Sequence, residues 1–542
     1  MQKNMLYKKY DKIRFIKNIF YYFFDLYYRV KYFAYFNLFL NFLFLNYVYY
    51  KFFGVINNNL VLLLNYSINY NGCIIIKLVQ WLNNQLQFLK FDSENSNYNN
   101  NISFIVNLFS RYYENCNVHN LNYTKFLFFK EFGYLFDDVF VLDKSFKIKS
   151  GSVAQVYKAY IKNYELYKKI YINQNLNNGL NNGLNNGFDL SLNLNVAIKV
   201  VHPEIEYQML YPIYFINIYS YLTNNVRFFK KYNIIFNFDS FFCNLKKQIS
   251  MVNEYENNIY YYNKYKDSRV IIIPKPLLKS NNFLVMEYVE GEFLEQLNIG
   301  EYKKQIIISL ISLFLKDTYI FGKYIHCDLH DANWKIKKSM DSESDELYKI
   351  IIYDFGYVIE NKCNEDIKNL VYYLDINNSY ELGKILFNNI QNFKYNSNNI
   401  LLDCSSQIMD NFVDDFVKYN NSTYPYTDNN IISVYNFCYE NGYKLKNNLL
   451  DLFVSMMLLQ KYFKKYIYFD LNNNNFCLES YNKHIYNINL FYVSICEKYD
   501  IFYNVKEYIY ERYIDNSLLN EKNIYNNKYF ESLDNNINNI DI

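Results

Sequence analysis

Proline and glycine are scarce, 5 and 13 among 542 residues, while tyrosine and phenylalanine number 64 and 47. Asn, Ile and Lys are abundant as well, the imprint of AT-rich coding sequence, so the aromatic surplus by itself carries little functional information. The nine cysteines include no C-x-x-C pair and no regular spacing, which excludes a disulfide framework or zinc ribbon and leaves reduced, packed thiols. A surplus of one charge sign is missing too. The formal net charge is +3 and is spread along the chain, so no clustered basic face marks a nucleic-acid partner. The 51% apolar content excludes disorder and, at this length, provides for two or more domains with a sizeable core.

What is present centres on His326-Cys327-Asp328-Leu329-His330-Asp331-Ala332-Asn333, followed by Tyr353-Asp354-Phe355-Gly356. Phosphoryl transfer from ATP needs a carboxylate beside the attacking oxygen, plus a carboxylate and an amide oxygen to hold the metal that neutralises the phosphates. Asp328 fits the first role, and Asn333 and Asp354 fit the Mg²⁺ positions, in the order and spacing of the kinase signature. A rival reading takes His326, Asp328 and His330 as a metal cluster, because imidazole and carboxylate are common zinc ligands. Their spacing is not the helical H-E-x-x-H pattern.

In chain order, the start is basic and acid-poor: Lys3, Lys8, Lys9, Lys12, Arg14, Lys17, Arg29 and Lys31 face only Asp11 and Asp25, as in organelle transit segments. Tyr32 to Tyr50 is uncharged and close to the ~20 residues that cross a bilayer, although Asn37, Asn41 and Asn46 favour a buried or interfacial aromatic helix equally. We therefore read residues 1–59 as a targeting and membrane-associated segment. Residues 60–145 form a helical extension that carries Lys77-Leu78-Val79-Gln80-Trp81.

Residues 146–290 read as a β-rich small lobe. Val153 to Tyr157 and Val196-Ala197-Ile198-Lys199-Val200-Val201 are strands, and the repeated Leu-Asn-Asn-Gly near 165–193 is a low-complexity surface insertion between them. Gln248 to Tyr265 is a helix with Glu254 and Glu256. The strand Phe283 to Gly291 has hinge character, with the C=O of Glu287 and the N–H of Val289 placed to read an adenine edge. Residues 291–515 form a helical large lobe, interrupted by the catalytic stretch and a short strand from Tyr348 to Tyr353. Residues 516–542 form a disordered tail. The expected class is α+β, a two-lobed protein-kinase-like fold with a helical N-terminal extension.

The loop Ser150-Gly151-Ser152-Val153-Ala154-Gln155-Val156-Tyr157-Lys158-Ala159 lacks the G-x-G-x-x-G triplet of ordinary kinases. It resembles the Ser-Ile-Gly-Gln-Val-His loop of the UbiB family, the AarF-domain-containing atypical kinases linked to ubiquinone biosynthesis. Val200-Val201-His202-Pro203, His326-Cys327-Asp328-Leu329-His330 and Lys77-Leu78-Val79-Gln80, which is similar to the family's Lys-x-Gly-Gln, match it too. With Trp81 the last of these looks most like the mitochondrial AarF-domain-containing kinase 2 branch. Val79, Ala154 and Asp331-Ala332 stand where the family carries Gly, Gly and Pro-Gly.

The resemblance implies that Lys199 anchors the phosphates of ATP, with Glu254 as its ion-pair partner and Glu256 as the alternative. Ser152, Val153, Ala154 and Gln155 would form the nucleotide loop. Asp328 would be catalytic, Asn333 and Asp354 would hold Mg²⁺, and Lys77 and Gln80 would fold over the cleft and exclude peptides. The implied partners are ATP, a lipid or membrane surface, and ubiquinone-biosynthesis proteins. The implied location is the mitochondrion, with a plastid-type organelle as the alternative. The expected function is a Mg-dependent phosphotransferase or ATPase, and its competitor is a nucleotide-binding scaffold without turnover.

Overall fold

The computed structural model describes residues 2–80, 116–177, 195–225, 245–340, 346–361, 364–390, 404–423 and 478–515, with scattered residues between 431 and 466. Trp81, the Leu-Asn-Asn-Gly repeats beyond residue 177, and the 516–542 tail lie outside them. The chain forms two compact units. One comprises Met1–Ile234, Phe238–Val252 and Leu277–Met286, and the other Ile235–Asn237, Asn253–Pro276 and Glu287–Ile542.

The first unit opens with a long helix, α1 (Gln2–Phe53), of 52 residues. Neither Gly nor Pro occurs before Gly54, and the helix stops there, where the backbone turns to φ +69. Helix α2 (Asn58–Asn71) begins at Asn57, whose side chain accepts the N–H groups of Asn59 (3.0 Å) and Leu60 (3.3 Å), and it ends at Gly72. Gly72 has φ +78, a conformation that strains any residue with a Cβ, and a Cβ there would also fall 2.1 Å from Gln208 Oε1, so that side chain would have to move. The uncharged run Tyr32 to Tyr50 lies within α1. Among the described residues no helix is long and apolar enough to cross a membrane, so the single-span alternative for this run is set aside. Its tyrosines and asparagines keep it too polar.

Residues 73–80 are helical, and helix α3 (Leu121–Phe132) follows. The sheet consists of β1 (Phe140–Leu142), β2 (Lys149–Ser150), β3 (Ala154–Ile161), β4 (Asn195–Val201), β6 (Pro276–Lys279) and β7 (Phe283–Glu287), in the order β1-β3-β4-β7-β6 with β2 on β3. Val196, Ile198 and Val200 alternate into a core with Phe128, Phe140 and Phe283.

The insertion proves shorter than its sequence suggests. Tyr164–Asn177 is a helix whose Tyr167 and Ile170 are 1% and 2% exposed in this same core. The expectation of an unpackable segment from residue 165 is therefore wrong for its first part, because Tyr167 and Ile170, three apart, share one apolar helix face.

The second unit holds α5 (Met251–Tyr265, with Met251 and Val252 in the first unit), after α4 (Ile205–Asn225) in the first. It also contains β5 (Ile271–Ile272), the buried helix α6 (Glu301–Ile320), and strands β8 (Tyr324–His326), β9 (Trp334–Met340), β10 (Glu346–Ile352) and β11 (Val358–Glu360). β9 and β10 pair antiparallel, β5 joins β10 in parallel, and β8 pairs antiparallel with β11. Strand β9 is absent from the sequence reading, since Lys335, Lys337 and Lys338 interrupt its apolar pattern. In the structure Trp334 and Ile336 point inward while Lys337 and Lys338 are exposed.

Candidate active site

Two strand pairings position the candidate catalytic loop. The β8–β11 register sets His326 opposite Val358, and the next residue continues it, with the Cys327 N–H donating to Tyr357 O at 3.0 Å. The β9–β10 register sets Trp334 opposite Ile352, and beyond it the Tyr353 N–H donates to Asn333 O at 3.0 Å. Residues 327–333 and 353–357 are thus clamped together at both ends by backbone hydrogen bonds alone.

His326 ties the middle. It is fully buried, its Nδ1 accepts the Asp328 N–H at 3.3 Å, and its Nε2 lies 2.7 Å from Asp354 O. These contacts assign a neutral ring with the proton on Nε2, and burial lowers its pKa, which favours that form. Asn333 Nδ2 donates to Asp328 O at 2.7 Å, which leaves Oδ1 as its cation-facing end. Asp354 Oδ1 accepts the Gly356 N–H at 2.8 Å. Phe355, fully buried, stacks on Tyr261 with ring centroids 4.7 Å apart and meets the His326 ring edge at 5.4 Å, while Asn257 Nδ2 donates to its carbonyl at 2.9 Å.

Asp328, Asn333 and Asp354 are therefore brought together, and a carboxamide oxygen with a carboxylate is the oxygen donor set that Mg²⁺ takes. His330 Nε2 stands 3.9 Å from Asp328 Oδ1. Among the described residues no group of three His, Cys, Asp or Glu side chains could hold a metal, so His326, Asp328 and His330 do not form the rival cluster. The His326 ring, with both nitrogens engaged in backbone contacts, has no lone pair for a metal.

In the first unit the β3–β4 register places Lys199 opposite Val156, and Ala154 opposite Val201. Ala154, Val156 and Lys199 share one face of the sheet. Gln155 sits opposite Val200 and faces the core, fully buried. Its carboxamide is committed: Oε1 accepts the His119 N–H at 2.8 Å, while Nε2 donates to His119 O at 3.2 Å and to the Tyr157 hydroxyl. Any nucleotide contact by Gln155 is left to its backbone. Ser152, Val153 and Ala154 are buried as well. Neither Ala154 nor Val79 is among the residues with positive φ, so the family glycines at these places are not needed for backbone conformation here.

His119 is a residue the sequence reading missed. A single hydrogen-bond direction runs from Gln155 Nε2 through Tyr157 Oη, Thr124 Oγ1 (2.9 Å) and His119 Nε2 (3.0 Å), then from His119 Nδ1 to His202 Nδ1 (2.9 Å), and from His202 Nε2 to Gly151 O (3.0 Å). The His202 N–H also donates to Val153 O at 2.9 Å. Every donor finds one acceptor only if both rings are neutral. Burial and the neighbouring His202 drop His119 to about 3, and burial lowers His202. The scarcity of histidine, five in the chain, was the available signal, since four of them fall in these two clusters.

Of the remaining expected residues, Lys77 and Gln80 lie in the helical run 73–80 of the first unit, Gln80 buried and Lys77 half-buried. Glu254 on α5 is 1% exposed, whereas Glu256 is exposed. A buried carboxylate requires a partner, so Glu254 is the better candidate for a structural ion pair. Glu287 ends β7, its N–H bonded to Lys275 O at 2.9 Å, and Val289 O accepts the Tyr353 hydroxyl at 3.0 Å.

Residues 189–384 match the family model of the ABC1 atypical kinase-like domain. The ABC1 family protein MCP2 of Saccharomyces cerevisiae (strain ATCC 204508 / S288c) is 24% identical over 244 residues, covering 42% of this chain and 37% of that protein. The match thus spans well under half of that relative's length. Similar solved structures include the Rv3197–erythromycin complex from Mycobacterium tuberculosis, with TM-score 0.36, 12% identity, and 55% and 67% of the two chains covered. Another is the Rio2 kinase–ADP/Mg²⁺–phosphoaspartate complex from Chaetomium thermophilum, with TM-score 0.25, 12% identity, and 71% and 96% covered. Residues 189–384 are thus similar to the ABC1 atypical kinase-like domain, in a chain of mixed helix and sheet.

Proposed function

We propose that the protein binds ATP with Mg²⁺ and transfers or hydrolyses its terminal phosphate, acting on a small or lipid-like partner at an organelle membrane in support of ubiquinone metabolism. The observation that carries this reading is the clamp around His326, which gathers one carboxylate, one carboxamide and a second carboxylate on two short loops. In it Asp328 would orient the acceptor, and Asn333 and Asp354 would hold Mg²⁺, which when bound neutralises phosphate charge. Lys199 would anchor the phosphates with Glu254 as its partner. The backbone of residues 152–155 would line them, and Glu287 and Val289 would meet the adenine. Lys77 and Gln80 would close over the site and keep peptides out. The acid-poor basic start and the branch resemblance support a mitochondrial location.

The test is Mg-dependent nucleotide binding and phosphate release by the full chain. Asp354→Ala should weaken Mg-ATP binding by on the order of 100-fold, the upper range for losing a group that supports a metal, and should abolish turnover. ATP binding without phosphate release would favour the scaffold reading. Binding and turnover unchanged by Asp354→Ala would overturn the assignment.

A further inference from the structure

We propose that the hairpin of α1 and α2 is a shallow, one-leaflet membrane anchor, with its Phe52–Ile56 tip at the boundary between headgroups and acyl chains. This deepens the membrane partner of the preceding reading and rests on it only in that respect. The hairpin is a built element. Asn46 Nδ2 donates to Leu60 O at 3.0 Å and Asn71 Nδ2 to Tyr35 O at 2.8 Å, crosslinks that fix the two helices antiparallel. Farther back α1 is seated by Tyr28, whose ring stacks on Tyr207 at 4.1 Å and whose hydroxyl donates to Glu204 at 2.9 Å.

The outer surface of this hairpin is largely apolar, with Asn37, Asn41, Asn58 and Asn59 as its exposed amides. Phe52 is 80% exposed and Phe53 64%, and Val55, Leu62, Leu63 and Tyr66 are exposed beside them. Along α1 the exposed side chains form two stripes: Leu40, Phe44 and Tyr47 on one, Leu38, Leu45 and Phe52 on the other. At 100° per residue these stripes lie far apart around the helix, so a second copy or a flat protein partner would cover one and leave the other wet. A lipid phase covers both.

Charge points the same way. No carboxylate occurs between Asp25 and Asp92, whereas Lys51 stands beside the tip and a basic stretch precedes Asp25, a complement to anionic headgroups; Arg29 and Lys31 are already ion-paired with Asp25 and Glu204. Asn37 Nδ2 turns back onto Phe33 O at 2.8 Å, which lowers the cost of placing that amide in an apolar medium. Depth is limited by Lys51, whose ammonium stands 5.8 Å over the Tyr47 ring beside the tip. A lysine there can reach headgroups from a shallow position but not from the bilayer centre.

Full-length protein is floated with phosphatidylcholine vesicles with and without phosphatidylglycerol, and nucleotide binding is measured on the same preparations so that failure of the ATP reading shows separately. We expect the wild type to float with the anionic vesicles, and Phe52→Ser/Phe53→Ser to lose at least about tenfold in partitioning, as two large apolar side chains leave the lipid. A Phe53→Trp variant should be quenched by lipids brominated near the glycerol end of the acyl chain, and less by lipids brominated near the methyl end. Binding that high salt abolishes, with no quenching of the tryptophan, would overturn the anchor in favour of headgroup electrostatics alone. A stable dimer that becomes monomeric in Phe52→Ser/Phe53→Ser, without vesicle binding, would overturn it in favour of self-association.

Discussion

The two units hold their chemistry-bearing loops by different means. In the second, residues 327–333 are pinned by strand register, through the Cys327–Tyr357 and Asn333–Tyr353 backbone bonds. In the first, the Ser150 to Gln155 loop has backbone bonds of its own, from the Gly151 N–H to Ala154 O and from the His202 N–H to Val153 O, and adds a side-chain relay that starts at Gln155 and ends on Gly151 O. The clamp is indifferent to most side chains, the His326 ring that joins the Asp328 N–H to Asp354 O excepted. A relay depends on each member and on its protonation state, because a buried polar group that loses its partner costs more than the bond contributed.

The sharpest way to break this comparison is to remove one side chain from each device. His202→Leu leaves Gly151 O and the His119 Nδ1–H without partners, and should cost roughly 3 kcal/mol in urea unfolding of the first unit, at about 1–3 kcal/mol per orphaned group. Cys327→Ala trims a buried side chain inside the clamped loop but keeps its backbone bond to Tyr357, and should cost only about 1 kcal/mol. Equal losses would mean that the clamp, too, relies on its side chains.

A smaller effect near neutral pH follows from protonation. Because His119 is held at about 3, below its ordinary value of 6.5, its neutral form is stabilised by folding. That contribution is complete above pH 6.5 and is lost as pH falls from there toward 3. Thermal melts across this range should show declining stability, and His119→Gln with His202→Gln should flatten part of the slope. The remainder would belong to His326, also lowered by burial. An unchanged slope in the double variant would show that the relay is not what senses acid.

The smallest effect belongs to the segment between β3 and β4. Deletion of residues 178–193 should change stability by less than about 0.6 kcal/mol, since loop closure varies slowly with length. Extending the deletion back to residue 165 removes Tyr167 and Ile170 from the core that supports β3, and should unfold the first unit. If the short deletion alone unfolds it, the relay is not the main restraint on that strand.

The sequence made the second unit's site readable because its information is local: Asp328, Asn333 and Asp354 are few, spaced and of one chemistry. Strand β9 was harder to see, since three lysines hide a pattern that becomes clear only when Ile336 is paired with Ile350. The first unit was legible in its strands but not in its relay. His119 and His202 are far apart in the chain, and no spacing rule anticipates a contact made by the tertiary fold. Gln155 was assigned by motif to the nucleotide, whereas strand parity turns its side chain to the opposite face from Lys199. Helix Tyr164–Asn177 was masked by the asparagine-rich sequence beyond it, which drew attention from Tyr167 and Ile170.

The clamp around the candidate catalytic loop also supplies a clock. The amide protons of Cys327 and Tyr353 are the two that close its ends, so neither can exchange with solvent deuterium until its ribbon parts. If the loop opens as one piece, these two amides will exchange at a common rate, while that of Ala332, bonded only to the His330 ring at 3.3 Å, exchanges sooner. Should Tyr353 exchange well before Cys327, the loop swings from its Asn333 end. The order in which three protons leave would then tell how the site admits and releases what it binds.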